Sequence, residues 1–335
     1  MPDRNRQWKL VRRPAGMLAE GDLQLSESPL PPLADGQALA KVLYLSIDPT
    51  MRVWMADIPQ YMPPVALDDV MRCIGLAQII ESRHKDFQKG DKIMGFTGMQ
   101  EFVLVDSSGK QSFQKLPSIP FVSDSTFLGP LGITGLTAYF GMTDIAKPQK
   151  GETLVVSAAA GATGSIAGQI GKIHGCRVVG IAGTQEKCKW LAQDLGFDAA
   201  INYKQPDWKD RLAEATPRGI DIDFENVGGE IMQEVLNRMN LFGRVVLCGL
   251  ISGYNRQDPG LASFAAVLVK RLRVQGFIIL DYAPKFMEAA TQLGKWKMFG
   301  KLKDRETVVQ GFENAPSAIN MLFTGANIGK LLVKL

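Results

Sequence analysis

Along roughly the first third of the chain the apolar positions come in short runs broken by proline and glycine. Ala38-Leu-Ala-Lys-Val-Leu-Tyr-Leu45, Gly75 to Ile80, Lys92 to Phe96 and Glu101 to Val105 each have strand length and β-prone content. Gaps of hairpin size holding Gly90-Asp91 and Gly98 separate several of them. This rhythm predicts an antiparallel β domain.

From about Gly151 the rhythm changes. Thr153-Leu-Val-Val-Ser157 is a continuous apolar run of the buried-strand type. From Ser165 to His174, Ile166, Ile170 and Ile173 then fall on one helical face, and Gly175 follows as a stop. Strands are predicted at Arg177–Ala182, Ala199–Tyr203, Ile220–Phe224, Arg244–Cys248 and Val274–Leu280. Helices fall between them: Gln185–Leu195, one from about Asp207, and one placing Met232, Val235, Leu236 and Met239 on a single stripe. Six strands alternating with helices predict a doubly wound parallel α/β sheet with helices on both faces. The tail adds helices at Pro284–Met298 and Asn314–Phe323. Its last strand, Lys330–Lys334, has no partner in that count and is expected to return to the first domain.

The composition changes little in this picture. A chain of 335 residues suits two domains. A net charge of +4 with no dense Lys/Arg cluster argues against a nucleic-acid partner. No apolar run reaches membrane length, and the charged start carries no secretory core, so a cytoplasmic place of work is expected. Cys73, Cys176, Cys188 and Cys248 lie far apart, which predicts reduced thiols rather than a disulfide framework. Of the only two histidines, His174 ends a predicted helix and His84 sits in a polar run read as a solvated turn. Neither pairs with a cysteine in a zinc-like spacing, so no metal is expected.

The candidate chemistry begins at the turn after the first parallel strand, Ala158-Ala-Ala-Gly161-Ala-Thr-Gly164-Ser165. A pyrophosphate needs small residues there, because the backbone must come close and the helix N-terminal amides must point at it. Alanine stands where the first glycine of the dinucleotide fingerprint usually falls. Gly168 and Gly171 would let the helix lie close to the sheet. At the tip of the second strand, Ile181-Ala-Gly-Thr-Gln-Glu-Lys187 offers no acid for a ribose 2′-hydroxyl. Gly183 and Thr184 leave room for a phosphate that Lys187 would pair with, so the expected cofactor is NADPH.

Several runs together carry a family resemblance: Ser46-Ile-Asp-Pro-Thr-Met-Arg52, Ala158 to Gly164, Phe224-Glu-Asn-Val-Gly-Gly229, Cys248-Gly-Leu-Ile-Ser-Gly-Tyr254, Gly311-Phe-Glu-Asn-Ala-Pro316 and Asn327-Ile-Gly-Lys330. With them the chain resembles the zinc-free medium-chain dehydrogenases/reductases, in the prostaglandin reductase (leukotriene hydroxydehydrogenase) and curcumin reductase group. The resemblance implies a Rossmann domain with a six-stranded parallel sheet over 126–283. It implies a mainly antiparallel, GroES-like catalytic domain formed by 1–125 and 284–335. It also implies NADPH-dependent reduction of the carbon–carbon double bond of α,β-unsaturated ketones and aldehydes by a homodimer that joins through the sixth strand.

On that resemblance Gly161, Ala162, Thr163, Gly164 and Ser165 hold the pyrophosphate, and Lys187 and Tyr203 the 2′-phosphate side. Asn226, Cys248, Gly249, Leu250, Ile251, Ser252, Phe277, Ile278, Ile279 and Asn327 surround the ribose and nicotinamide. Hydride delivered to the β-carbon of an enone builds charge on the carbonyl oxygen. The resemblance assigns Tyr254, with a cofactor ribose hydroxyl, to stabilise that enolate. No histidine stands near Arg72-Cys73-Ile74-Gly75, where zinc-dependent relatives carry a ligand run.

Thr50 departs from the tyrosine many relatives carry and alters the substrate side, where Tyr44, Trp54 and Tyr61 are nearby aromatics that either compensate or belong to the β-domain core. Arg52 is a candidate for a substrate carboxylate or a structural salt bridge. Two alternatives stay open at this stage: an NADPH-dependent quinone reductase, and a non-catalytic NADPH-binding sensor.

Overall fold

The computed structural model describes residues 4–106, 113–117, 119, 122–255 and 264–335. They form two compact units. One comprises Met1–Leu128, Thr307–Ala326 and Leu331–Leu335, the other Gly129–Glu306 and Asn327–Lys330.

The first unit carries a seven-stranded sheet. Its path runs Glu306–Gln310, Lys330–Lys334, Gln37–Ile47, Ile74–Ser82, Lys92–Phe96, Gln114–Lys115, and Phe102–Asp106 also pairs with Gln37–Ile47. The registered pairs about Gln37–Ile47, Ile74–Ser82 and Lys92–Phe96 are antiparallel. The last strand returns here as expected, with Val333 opposite Leu45. Its core packs Val42, Leu45, Ile79, Val103 and Val333 against Ala318 and Ile319 of the helix Ala315–Thr324. A hairpin of Arg4–Leu10 and Leu23–Pro29 stands beside this sheet as a separate pair. Its alternation is masked by charged residues, and the sequence reading passed over it.

The second unit is the doubly wound domain. Its strands are β1 (Thr153–Val156), β2 (Arg177–Ala182), β3 (Ala199–Asn202), β4 (Ile220–Glu225), β5 (Met239–Leu247) and β6 (Arg273–Gly276). Their spatial order is β3-β2-β1-β4-β5-β6, and the registered pairs are parallel. This is the dinucleotide-binding order, which reverses direction beside β1.

Both faces of the sheet are buried, which explains the apolar runs of β1 and β2, while β4 also carries the buried acids Asp223 and Glu225. Leu154, Val156, Val178, Ile222, Phe224 and Val246 enter one helical layer, and Val155, Val179, Ile181 and Val245 the other. The first layer includes the helix Ala162–Ile173, held tightly to the sheet. A Cβ on Gly171 would fall 2.4 Å from Leu154, and one on Gly168 2.0 Å from the Phe197 ring.

Three differences from the sequence expectations have local causes. The sixth strand ends at Gly276, and residues 279–285 turn into a 3-10 helix, so Phe277 and Ile278 lie beyond the sheet. The helix Phe286–Met298 packs with the parallel sheet rather than with the β unit. Its Ala289 and Leu293 share a core with Phe140 and Phe224, which carries this unit on to Glu306 instead of 283. The helix Ile133–Phe140 and its continuation to Ala146 were not predicted, and they enter the same core. Among the described residues no helix is long and apolar enough to cross a membrane.

Candidate nucleotide and catalytic site

The site grows from the carboxyl ends of β1, β2 and β4. After β1 the chain must turn sharply, and Ala158 takes the left-handed conformation at φ +44° that the usual glycine adopts freely. Ala159 N–H donates to Ile181 O at 2.9 Å, which fixes the turn on β2. The helix then opens at Ala162, with Gly161 as its N-cap, three residues before the predicted start. Its first closing bond runs from Ser165 N–H to Gly161 O, 3.0 Å.

The amides of Ala162, Thr163 and Gly164 therefore point out of the helix end with no acceptor among the described residues. Gly164 is needed for closeness: a Cβ there would lie 2.6 Å from Ala158 O and 3.0 Å from Ala159 Cα. The segment after Ala326 docks on this loop. Gly329 N–H donates to Ala160 O at 2.8 Å, Gly161 and Gly329 form a β-bridge, and buried Asn327 donates Nδ2 to Gly329 O at 3.1 Å.

At the end of β2, Thr184 caps a short helix by accepting from Lys187 N–H. Lys187 is half-buried, and burial together with the positive charge of Lys204 lowers its pKa. Tyr203 and Lys204, at the end of the neighbouring β3, lean over Gly183. A Cβ there would meet the Tyr203 ring at 3.1 Å and Lys204 Cε at 3.5 Å. Glu186, the acid beside this group, faces Arg305 at 3.4 Å. The positive charge of Lys204 thus acts on Lys187 at a strand end where Glu186, which also pairs with Arg305, offsets part of the effect. Lys204 escaped the sequence reading. The order β3-β2-β1, which sets its strand end beside that of β2, was the signal that reveals it.

At the end of β4, Asn226 donates Nδ2 to Ser157 O at 2.7 Å and its backbone N–H to Ser157 Oγ at 2.7 Å. The segment from Cys248 to Tyr254 hangs on this turn. Ile251 N–H donates to Asn226 O at 3.1 Å, and Ser252 donates N–H and Oγ to Val227 O at 3.0 and 2.6 Å. Tyr254 Oη accepts from Leu250 N–H at 3.2 Å, curling the hydroxyl back over Gly249. Burial and the neighbouring Glu225 push the Cys248 thiol up to about 12, so it stays protonated. Phe277 is half-buried against the core and stands edge-on to Tyr282 at 6.2 Å. Ile278 and Ile279 follow it in the turn.

The unit thereby gathers all the predicted cofactor residues. Thr50, Arg52 and Tyr61 belong to the other unit. There Thr50 Oγ1 and Tyr61 Oη are 2.6 Å apart, and Trp54 Nε1 donates to the same Tyr61 oxygen at 2.9 Å. Arg52 is not part of that group. Its buried guanidinium donates to Gly16 O at 2.9 Å and Pro14 O at 2.7 Å, a structural anchorage to carbonyls. His84, read as solvated, instead packs its ring on Phe87 at 4.9 Å with 5% of the side chain exposed. Among the described residues no three His, Cys, Asp or Glu side chains gather as a metal-binding group.

Known proteins share this architecture. A family model described as the N-terminal domain of oxidoreductase matches residues 6–114, and one described as zinc-binding dehydrogenase matches 162–295. The chain is 42% identical to the NADPH-dependent curcumin reductase of Escherichia coli (strain K12), over 99% of this chain and 97% of the relative. It is 39% identical to a 2-alkenal reductase (NADP(+)-dependent) of Nicotiana tabacum, over 98% and 97%. The crystal structure of CurA in complex with NADPH from Vibrio vulnificus superposes with a TM-score of 0.92 at 42% identity, covering 98% of both chains. The chain belongs to the medium-chain dehydrogenase/reductase family, in the group of the curcumin and prostaglandin reductases.

Proposed function

We propose that the chain is an NADPH-dependent reductase of the carbon–carbon double bond of α,β-unsaturated ketones and aldehydes, working without zinc. The observation that carries this reading is the open amide cradle at Ala162, Thr163 and Gly164 together with the two ammonium groups of Lys187 and Lys204 gathered at the neighbouring strand ends. A dinucleotide bearing a 2′-phosphate fits that set. It supplies an acceptor to the amides and a negative charge to the two lysines.

Gly161 to Ser165 hold the pyrophosphate, and Lys187, Tyr203 and Lys204 the 2′-phosphate. Asn226, with its amide donors engaged inward on Ser157 and Phe224 carbonyls, presents Oδ1 to a ribose hydroxyl. Cys248 to Ser252, Phe277 to Ile279 and Asn327 enclose the nicotinamide side. Bound there, NADPH supplies a hydride that goes to the β-carbon of the substrate, leaving an electron pair on the carbonyl oxygen as an enolate.

Tyr254 donates to that oxygen, and its acceptance of the Leu250 amide strengthens it as a donor. The α-carbon then takes a proton from solvent. Thr50 and Tyr61 belong to the substrate side. The finer parts of the reading are a cytoplasmic homodimer. All four cysteines are free thiols, as suits a reducing compartment. The edge strand β6 follows a helix that exposes Leu268 at 78% and Val269 at 66%, the kind of apolar patch a partner copy covers.

The test is NADPH consumption with an enone, an enal and a quinone in parallel. Tyr254→Phe is expected to lower kcat on the order of 10²–10³-fold with NADPH affinity kept. Markedly higher efficiency with the quinone, or binding of NADPH with none consumed, overturns the reading.

A further inference from the structure

We infer that Glu225 is the positioning residue of the catalytic loop: its buried carboxylate holds the turn from which Asn226 and Tyr254 are hung. The inference rests on the reading of Tyr254 given above.

Glu225 is the last residue of β4 and is wholly buried. Its Oε1 accepts three hydrogen bonds, from Ser157 Oγ at 2.6 Å, Val227 N–H at 2.5 Å and Gly228 N–H at 2.9 Å. Its backbone carbonyl accepts two more, from Cys248 N–H at 2.9 Å and Gly249 N–H at 3.1 Å. One residue thus ties the ends of β1, β4 and β5, the strand ends that frame the site.

The geometry is a chain of dependence. The carboxylate fixes the amides of Val227 and Gly228. The carbonyls of Asn226 and Val227 fix Ile251 and Ser252, and that loop carries Tyr254. The same carboxylate orients Ser157, whose Oγ and carbonyl accept both donors of Asn226. Burial raises the Glu225 pKa and leaves Oε2 with no hydrogen-bond partner among the described residues. The three donors on Oε1, all from the site's own framework, act the other way and favour the carboxylate. Leucine at 225 would leave Val227, Gly228 and Ser157 without their acceptor, and the turn would relax toward other partners. Small displacements of a donor from the place where charge develops are expensive in rate and cheap in affinity.

The experiment counts sites by bound NADPH and then measures single-turnover hydride transfer to an enone per bound NADPH. Glu225→Leu is expected to slow that per-site rate on the order of 10–10²-fold. Glu225→Gln, which keeps a carbonyl acceptor in place, is expected to restore it to within about threefold of the parent. Should Glu225→Leu fail to fold, Ser157→Ala removes one of the three donors and is expected to slow transfer by about threefold to tenfold.

If Glu225 acts through Tyr254, adding Glu225→Gln or Ser157→Ala to Tyr254→Phe slows transfer no further. Per-site rates equal to the parent in every folded variant, with only the melting temperature lowered, overturn the inference. Tyr254→Phe separates the two failures. If it transfers hydride as fast as the parent, the reading of Tyr254 falls. If it is slow while the variants at 225 and 157 are not, only the role of Glu225 falls.

Discussion

The turn after β1 and the turn after β4 are built alike and used differently. Both leave the carboxyl end of a central parallel strand, both are short and glycine-bearing, and both open a helix. At Ala162–Gly164 the amides have no acceptor among the described residues. At Val227–Gly228 the chain supplies the anion itself, the Glu225 carboxylate. A turn at the carboxyl end of a parallel strand is therefore not a site by its own geometry. Its amides stay open where the chain withholds an anion, and they become framework where the chain provides one.

The most damaging way to break this contrast is to fill the open turn. Gly164→Val would push a branched side chain into the Ala158 carbonyl and the loop backbone. The cradle must then open, and NADPH affinity, read by fluorescence quenching, is expected to fall by about 10²-fold or more. Unchanged affinity would remove the loop from the binding site.

A smaller effect sharpens the comparison at the β2 end. Lys187→Ala is expected to weaken NADPH by about 10–10²-fold, and exposed Lys204→Ala by about tenfold or less, with NADH little affected in either. Equal changes for both cofactors would refute the 2′-phosphate role.

An effect on stability rather than on binding concerns Asp223, two residues before Glu225 and equally buried. Its carboxyl oxygens have no partner among the described residues, and it pairs in register with Val155 and Val245 in an apolar layer. Burial, then the charge of Glu225, raises its pKa well above the ordinary carboxylate range. A carboxyl raised on folding is stabilising relative to its ionised form below the unfolded pKa, and that contribution is lost as pH rises through the folded pKa. Stability should thus decline toward alkaline pH. Asp223→Val should raise it by about 1–3 kcal/mol and flatten that slope. Urea unfolding near about pH 6 and about pH 9 measures both, and an unchanged slope would show that Asp223 is not the titrating group.

Much of this was legible in the sequence. The parallel strands were visible because a sheet buried on both faces must be written in unbroken apolar residues, as in Thr153–Val156 and Arg177–Ala182. The tight turn after β1 was visible because close backbone approach demands small residues, and the expectation of NADPH came from the acid missing at the tip of β2. The edge strand was read too long. Val274 to Leu280 is apolar except at Gln275 and Gly276, but only Arg273–Gly276 pairs, and local pattern does not say where a neighbour ends.

What stayed hidden was whatever depends on strands meeting out of sequence. Lys204 joins Lys187 only through the β3-β2 pairing, and Ser157 meets Glu225 only because β1 lies beside β4. Arg52 read as a candidate for a substrate carboxylate or a structural salt bridge, yet the carbonyls of Pro14 and Gly16 claim it.

The return of Leu331–Leu335 to a sheet begun at Gln37 sets an order of events during synthesis. The strand pairing of the amino-terminal unit is incomplete until its final partner has left the ribosome, whereas the parallel sheet between them is finished once Gly276 has emerged. The nucleotide-binding unit should therefore acquire its sheet while the earlier-made unit still waits with the Leu43–Ile47 edge unpaired. Such an exposed strand edge is what molecular chaperones shield.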